Sequence, residues 1–442
     1  MRAIRIFGLW TGPAAFGLLL SMPAFAQEGG GLNGANTAWI ITSTALVLFM
    51  TLPGLALFYA GLVQAKNVLS VLMHCFAIAC LVSVLWLVFL YSFAFGDGGS
   101  ANAFYGGFGK AFLAGIGPET LWGDIPENVF FMFQMTFAII TPALIVGAFV
   151  ERIRFSAVLW FTGLWVVLVY APVAHWIWGG GLLSDGGWLG GVGVRDFAGG
   201  VVVHITAGVS AVIAAMVIGG RRGFPREITP PHSPSLTMMG AAMLWVGWFG
   251  FNGGSALTSD GAAGMAITVT HVSAAIGALV WMGFEWVKYG RPSLVGMVTG
   301  MVAGLATITP ASGFVGPAGA VACGLAGGSI CYWATQTIKH RLEIDDSLDV
   351  FAVHGVGGAT GTLLTAVFAA PALGGLGLAE GASIGTHLWV QAAGIVIVGV
   401  WSGILSIGIL KLLDRTVGLR VAADVETEGL DIREHGERGY HW

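Results

Sequence analysis

The chain is 442 residues long, with 10% charged residues, 56% hydrophobic residues and a formal net charge of -4. An ordinary soluble domain carries roughly 25% charged residues, so this composition, with a mean hydropathy of +0.83, excludes a soluble enzyme and a disordered chain. A slightly acidic chain has no basic field for phosphate backbones, which excludes nucleic acid as a partner, and a polytopic protein of the lipid bilayer remains.

Residues 1–26 open with Arg2 and Arg5, continue with a short apolar stretch and end in Pro23-Ala24-Phe25-Ala26 before Gln27. A basic start, a short apolar core and small residues at the end predict a cleaved signal peptide. A first transmembrane helix fits less well, because Gly12, Pro13 and Gly17 interrupt the run.

A helix needs about 20 apolar residues to cross the hydrocarbon. Eleven such runs follow, at 37–63, 68–95, 128–150, 155–177, 198–219, 236–256, 262–284, 294–309, 315–338, 350–370 and 384–413. They predict an all-α membrane protein, with a transporter domain over 27–413. The last run exceeds the bilayer thickness at 1.5 Å per residue, so it should tilt or project. With the mature N-terminus outside, Lys110 and Arg195 are the cationic residues in outside segments. Apart from Arg2 and Arg5, the rest of the 19 Lys and Arg fall inside. That segregation obeys the positive-inside rule and predicts an outside N-terminus and a cytoplasmic C-terminus.

Two segments are alike. Asp196-Phe-Ala-Gly-Gly-Val-Val-Val-His204 opens the fifth span and Asp346-Ser-Leu-Asp-Val-Phe-Ala-Val-His354 opens the tenth; in each, Asp precedes His by eight residues and Gly (Gly208, Gly358) follows by four. Leu57-Phe58-Tyr59-Ala60-Gly61 and Gly250-Phe251-Asn252-Gly253-Gly254 echo each other more faintly. Spans 1–5 thus match spans 6–10, and an odd number of spans per copy inverts the second in the membrane. Inverted repeats place a substrate path between the halves. The eleventh span has no counterpart and is expected at the periphery.

Polar groups in hydrocarbon cost several kcal/mol unless partnered. His204 and His354 each lie about 12 Å along their helices from opposite faces, so both approach mid-membrane, where one ring can donate to the other if they are not both charged. A purely structural clamp would use the same pairing. A metal pair is disfavoured, since no carboxylate or thiolate lies within a turn of either His. His74, His175, His271 and His387 have no repeat counterpart and are expected to be packing or interfacial residues, while His232, His340, His435 and His441 fall in cytoplasmic segments. The four Cys sit in apolar runs and outline neither disulfides nor zinc, and no cofactor is implied. Asp196 can cap the fifth span through free N–H groups and can also place a buried negative charge near an entering cation. On that reading Asn, which keeps a capping oxygen, would spare stability and lower activity.

These segments carry a resemblance. Asp196 to His204 followed by Gly219-Gly220-Arg221-Arg222, Gly247-Trp-Phe-Gly-Phe-Asn252, Thr309-Pro310-Ala311-Ser312-Gly313, Asp349-Val-Phe-Ala-Val-His354-Gly355 and the tail Gly418-Leu-Arg-Val with Glu428-Gly-Leu-Asp431 and His435-Gly-Glu437 resemble the ammonium transporter (Amt/Mep/Rh) family, its bacterial Amt branch in particular. The likeness runs from about residue 37 to 440. It implies a homotrimer in the bacterial inner membrane, with ammonium or ammonia as substrate and one path per subunit. Phe133, Phe137, Trp178 and Ser255 resemble an outer ammonium-recruiting site, Phe137 and Phe251 a stacked phenyl gate, His204 and His354 twin pore histidines, and Asp196 a conserved outer acid.

A desolvation argument supports that chemistry: a bare cation is excluded from an apolar pore, whereas ammonium can release a proton and cross as ammonia. Net ammonium import is therefore expected, with a passive ammonia channel or an ammonium sensor as the alternatives. Only 414–442 follow the last span, short for an appended signalling domain. This polar tail, with Gly418, Gly429, Gly436 and Gly439, suits turns rather than one long helix. Its alternating charges could dock on basic inner loops such as Arg221, Arg222 and Arg226. The resemblance implies that it couples subunits beneath the trimer and that a PII-type protein binds the cytoplasmic face.

Overall fold

The computed structural model describes residues 31–189, 191–227 and 229–440; the signal-peptide expectation lies outside them. Among the described residues, eight helices are long and apolar enough to cross a membrane: α1 (Gly34–Leu62), α2 (Ala65–Phe95), α3 (Glu127–Ala148), α4 (Phe155–Trp178), α5 (Gly200–Ile218), α7 (Gly261–Tyr289), α10 (Phe351–Phe368) and α11 (Ile384–Thr416). Helices also occupy the other three predicted places, as α6 (Pro234–Trp248), α8 (Leu294–Ile308) and α9 (Pro317–His340). Their shorter length or weaker hydropathy sets them apart. Gly-rich sequence dilutes α9, and α6 gives way to a π turn over Phe249–Gly253.

Depth in the bundle separates the helices. The most apolar stretch of α3 is 89% buried and that of α11 33%, so α3 is central and α11 peripheral. α6 packs along α1, α7 to α9 pack on one another, and α11 lies against α4, α5 and α10. Large apolar side chains such as Phe76, Trp160, Trp389 and Ile404 point outward, as a hydrocarbon solvent favours. Polar residues tie α11 in place. Ser406 Oγ donates to Ser210 Oγ (2.8 Å), and Gln391 Nε2 donates to the Arg195 and Thr362 carbonyls at 2.8 and 3.1 Å.

Two of the repeat's glycines explain how α5 and α10 cross. A Cβ on Gly208 would meet Gly355 backbone atoms at 2.3–2.4 Å, and one on Gly358 would meet the Gly200 carbonyl at 2.7 Å and His204 Cβ at 2.8 Å. Small residues let helix backbones approach this closely in a membrane. Each helix opens with a π turn, Gly200–Ile205 and Phe351–Gly355, and each lies against the other's turn. Hydrophobic periodicity carries no sign of these turns, and both histidines sit on them.

The tail forms α12 (Ala423–Glu428) and α13 (Leu430–His435), separated by Gly429 at φ 116°. It docks differently from the ion-pair expectation. Arg221 bonds Asp345 and Glu151 instead of the tail, and among the described residues the tail's ion pairs are internal: Arg420–Glu426, Arg433–Asp424 and Arg433–Glu428. Docking uses helix ends. The Asp431 carboxylate accepts from the Leu69 and Ser70 N–H groups at 3.0 and 2.8 Å at the start of α2, and Glu434 accepts from the Phe155 N–H at 3.0 Å at the start of α4. Lys66 Nζ donates to the Glu426 and Thr427 carbonyls at 3.0 and 2.7 Å, and Arg222 donates to Thr427 Oγ1. Free N–H groups and the positive helix end favour carboxylates there.

Candidate functional site

α3 carries Phe133 and Phe137 one turn apart, and Trp178 closes α4. Phe133 and Phe137 meet edge to face at 5.0 Å, and Phe137 meets Trp178 at 5.9 Å. With Gln134, Phe197, Ser255 and Leu257 these rings line a small pocket. Ser255 Oγ donates to the Phe251 carbonyl at 2.8 Å, which leaves its lone pairs for a donor in the pocket. Ring faces of this kind attract a cation by about 0.5–2 kcal/mol each. Four of the residues singled out in the sequence, Phe133, Phe137, Trp178 and Ser255, therefore share one pocket.

Phe137 and Phe251 lie beneath it with centroids 4.4 Å apart and planes 32° apart. A second, narrow cavity begins at Phe251; His204, His354 and Trp248 line it among aliphatic residues such as Ile140, Leu144 and Val302. Phe137 lines the first space and Phe251 the second, so the phenyl pair lies between them. His354 Nδ1 lies 3.1 Å from His204 Nδ1, with centroids 5.1 Å apart. Two facing nitrogens at that distance hold a single proton between them. His204 stacks on Trp248 at 5.6 Å, and its Nε2 is enclosed with no partner among the described residues. Trp248 is anchored by its indole N–H to Thr309 Oγ1 at 2.9 Å.

Asp196 is 5% exposed. Its Oδ1 accepts from the Gly199 and Gly200 N–H groups at 2.9 and 2.6 Å, and its Oδ2 from those of Val201 and Val202 at 2.8 and 2.9 Å. All four free donors of the α5 start are thereby satisfied. Burial pushes this carboxyl up, while the four N–H bonds pull it back toward the charged form. The Asp196 carbonyl accepts the Trp178 indole N–H at 2.8 Å, so one residue fixes both the π turn of His204 and a wall of the aromatic pocket. Asn would turn a donor toward two N–H donors. The idea that Asn spares stability therefore gives way to a loss of stability as well.

His175 and His387 are buried in packing positions, and His271 is exposed. His175 ring nitrogens lie 2.9 and 2.6 Å from the Ala94 and Asn102 carbonyls, His387 Nε2 accepts from the Ala379 N–H at 3.0 Å, and His271 stacks near Trp245 at 5.1 Å. Among the described residues no group of three or more His, Cys, Asp or Glu gathers as a metal site requires.

Sequence reasoning passed over three features. Trp248 stood inside a quoted motif among many aromatic residues. Gln134 is a lone amide between two selected phenylalanines, which is the signal that could have found it. Beneath the tenth span, the buried Arg152 guanidinium donates to the Asp345, Ala148 and Val150 carbonyls and to Ser347 Oγ, while Arg221 grips the Asp345 carboxylate. Burial pushes Asp345 up, but Arg221 and Arg152 together hold it below the usual carboxylate range.

The family profile described as Ammonium Transporter Family matches residues 38–440. The chain belongs to this family. It is 43% identical to the ammonium transporter of Bacillus subtilis over 402 residues, covering 90% of this chain and 96% of that protein. It is 45% identical over 413 residues to a putative ammonium transporter of Methanothermobacter thermautotrophicus, covering 92% and 99%. Among solved structures it resembles one titled Sensor Amt Protein, with a TM-score of 0.83, 33% identity and coverage of 91% of this chain and 98% of that one. Membership makes the chain a multi-pass membrane protein of a transporter family, and not an enzyme.

Proposed function

We propose that the chain imports ammonium across the bacterial cytoplasmic membrane. The reading is of an eleven-span subunit built from two inverted five-helix repeats and a peripheral eleventh helix. Residues 1–26 are removed as a signal peptide, the mature N-terminus lies outside, and three copies assemble. Ammonium is recruited among Phe133, Phe137, Trp178 and Ser255, near the charge of Asp196. It passes the Phe137–Phe251 gate after giving up its proton, and ammonia crosses between aliphatic walls past His204 and His354. The proton follows by way of the histidine pair, so net ammonium enters. The tail 414–442 serves as a regulatory element on the cytoplasmic face, where a PII-type protein binds.

The observation that carries this reading is the 3.1 Å His204–His354 contact in an apolar cavity directly below the phenyl pair. Apolar walls exclude a bare cation, an enclosed imidazole nitrogen offers a neutral molecule a hydrogen bond, and the shared proton gives charge a route. Reconstitution into liposomes under an inward ammonium gradient tests it. Uptake with matching inward current is expected; uptake without charge movement would leave the passive channel. A sensor is the second reading, favoured by the likeness to a structure titled Sensor Amt Protein. Saturable binding with neither uptake nor current would select it.

A further inference from the structure

Gln134 follows Phe133 on α3 and is 5% exposed. It lines the aromatic pocket together with Phe133, Phe137, Trp178 and Ser255. Its amide oxygen is enclosed and has no hydrogen-bond partner among the described residues. Buried polar groups are nearly always paired, and an exception calls for an explanation. Packing alone would be served better by Leu or Met, because an unmade hydrogen bond at a buried amide costs more than a made one contributes.

We propose that Gln134 is a specificity-determining residue of this pocket, its amide oxygen accepting one N–H of the entering ammonium ion. The inference rests on the recruitment role proposed above and adds a ligand to it. Ammonium carries four N–H donors in a tetrahedron. Two go to oxygens, Gln134 Oε1 and Ser255 Oγ, and the others face the aromatic rings. Two oxygens do not replace the hydration shell of an alkali cation, which needs a ring of carbonyls. The neutrality of the amide matters equally. A carboxylate in this place would favour the charged form of its ligand and oppose the proton release that must precede passage through the phenyl pair.

The test is ammonium-evoked transport by the full-length protein in liposomes across a concentration series, with Gln134→Leu, Gln134→Glu and Trp178→Leu beside wild type. Losing a hydrogen bond to a charged group should raise the half-saturating ammonium concentration about tenfold or more, so Gln134→Leu shifts affinity and leaves the maximal rate near wild type. Gln134→Glu has nearly the same shape; it should lower the half-saturating concentration and also lower the maximal rate. A folded Gln134→Leu protein with wild-type half-saturation overturns the proposal. Should that variant not fold, unchanged half-saturation and rate in Gln134→Glu overturn it. Trp178→Leu separates the two levels: if it too leaves half-saturation unchanged, the recruitment reading fails, and if it alone weakens uptake, only the assignment of Gln134 fails.

Discussion

The two copies of the Asp-to-His motif share spacing and differ in what the acid does. At the start of α5, Asp196 spends both oxygens on four N–H groups and holds Trp178 through its carbonyl. Before α10, Asp346 Oδ2 accepts from the Phe351 N–H at 2.7 Å, while its buried Oδ1 has no partner among the described residues. Burial, aided by the charge of nearby Asp349, pushes Asp346 up to about 7. Asp345 and Arg221 provide the ion-pair scaffold next to it. Equal spacing delivers both histidines to one meeting point. The acids then diverge: Asp196 is saturated with hydrogen bonds, and Asp346 is underused and titratable.

That difference can be broken by substitution. Asp196→Ala leaves four buried N–H groups without an acceptor, so stability should fall by about 2 kcal/mol or more and transport with it. Thermal inactivation and uptake on the same preparation check both. Asp346→Ala should cost much less, and equal losses at the two positions would erase the distinction.

A middle-sized effect is expected at the tail. Asp431→Ala removes the cap at the start of α2, worth about 1 kcal/mol, and Gly429→Ala forces a side chain onto Lys66, whose Cβ lies 2.7 Å from the added methyl. Both should loosen α13 and raise proteolysis of the tail. The pore should stay folded, so transport falls only as far as the docked tail supports it.

A pH slope is expected as well. The folded chain keeps the Asp346 proton up to about 7, whereas an unfolded chain releases it near about 3.9. Between those values the folded state binds more protons, so its stability declines as pH rises. Asp346→Asn should flatten that decline and match or exceed wild-type stability at pH 8. Melting curves of detergent-solubilised protein from pH 5 to 8 would show it, and parallel curves for the two proteins would contradict it.

Much of this architecture is legible in the sequence because hydrocarbon imposes a single strong rule. Apolar runs of fixed length and segregated Lys and Arg give helix positions to within a few residues, as at Leu294–Ile308 and Ile384–Thr416. The repeat gives the histidine pair, since only symmetry distinguishes His204 and His354 from His175 or His387. Backbone irregularity stays hidden: the π turns at Gly200–Ile205 and Phe351–Gly355 arise from helix crossing and capping, which periodicity does not report. Gln134 and Trp248 were hidden for another reason. A side chain's missing partner, or its stacking on a histidine, exists only once distant segments meet. The tail's charges misled because carboxylates satisfy helix N-termini as readily as they satisfy arginines.

On the proposed reading, the two motif copies deliver two histidines that work as one unit in a single path. Ammonium-evoked current in liposomes, compared among wild type, His204→Ala, His354→Ala and the double variant, tests it most directly. Residues acting as a unit are non-additive. Each single variant should therefore lose selective ammonium current while remaining folded, and the double variant should be no worse than either. Wild-type current from a folded single variant, or losses that multiply in the double, would show that the two histidines act separately.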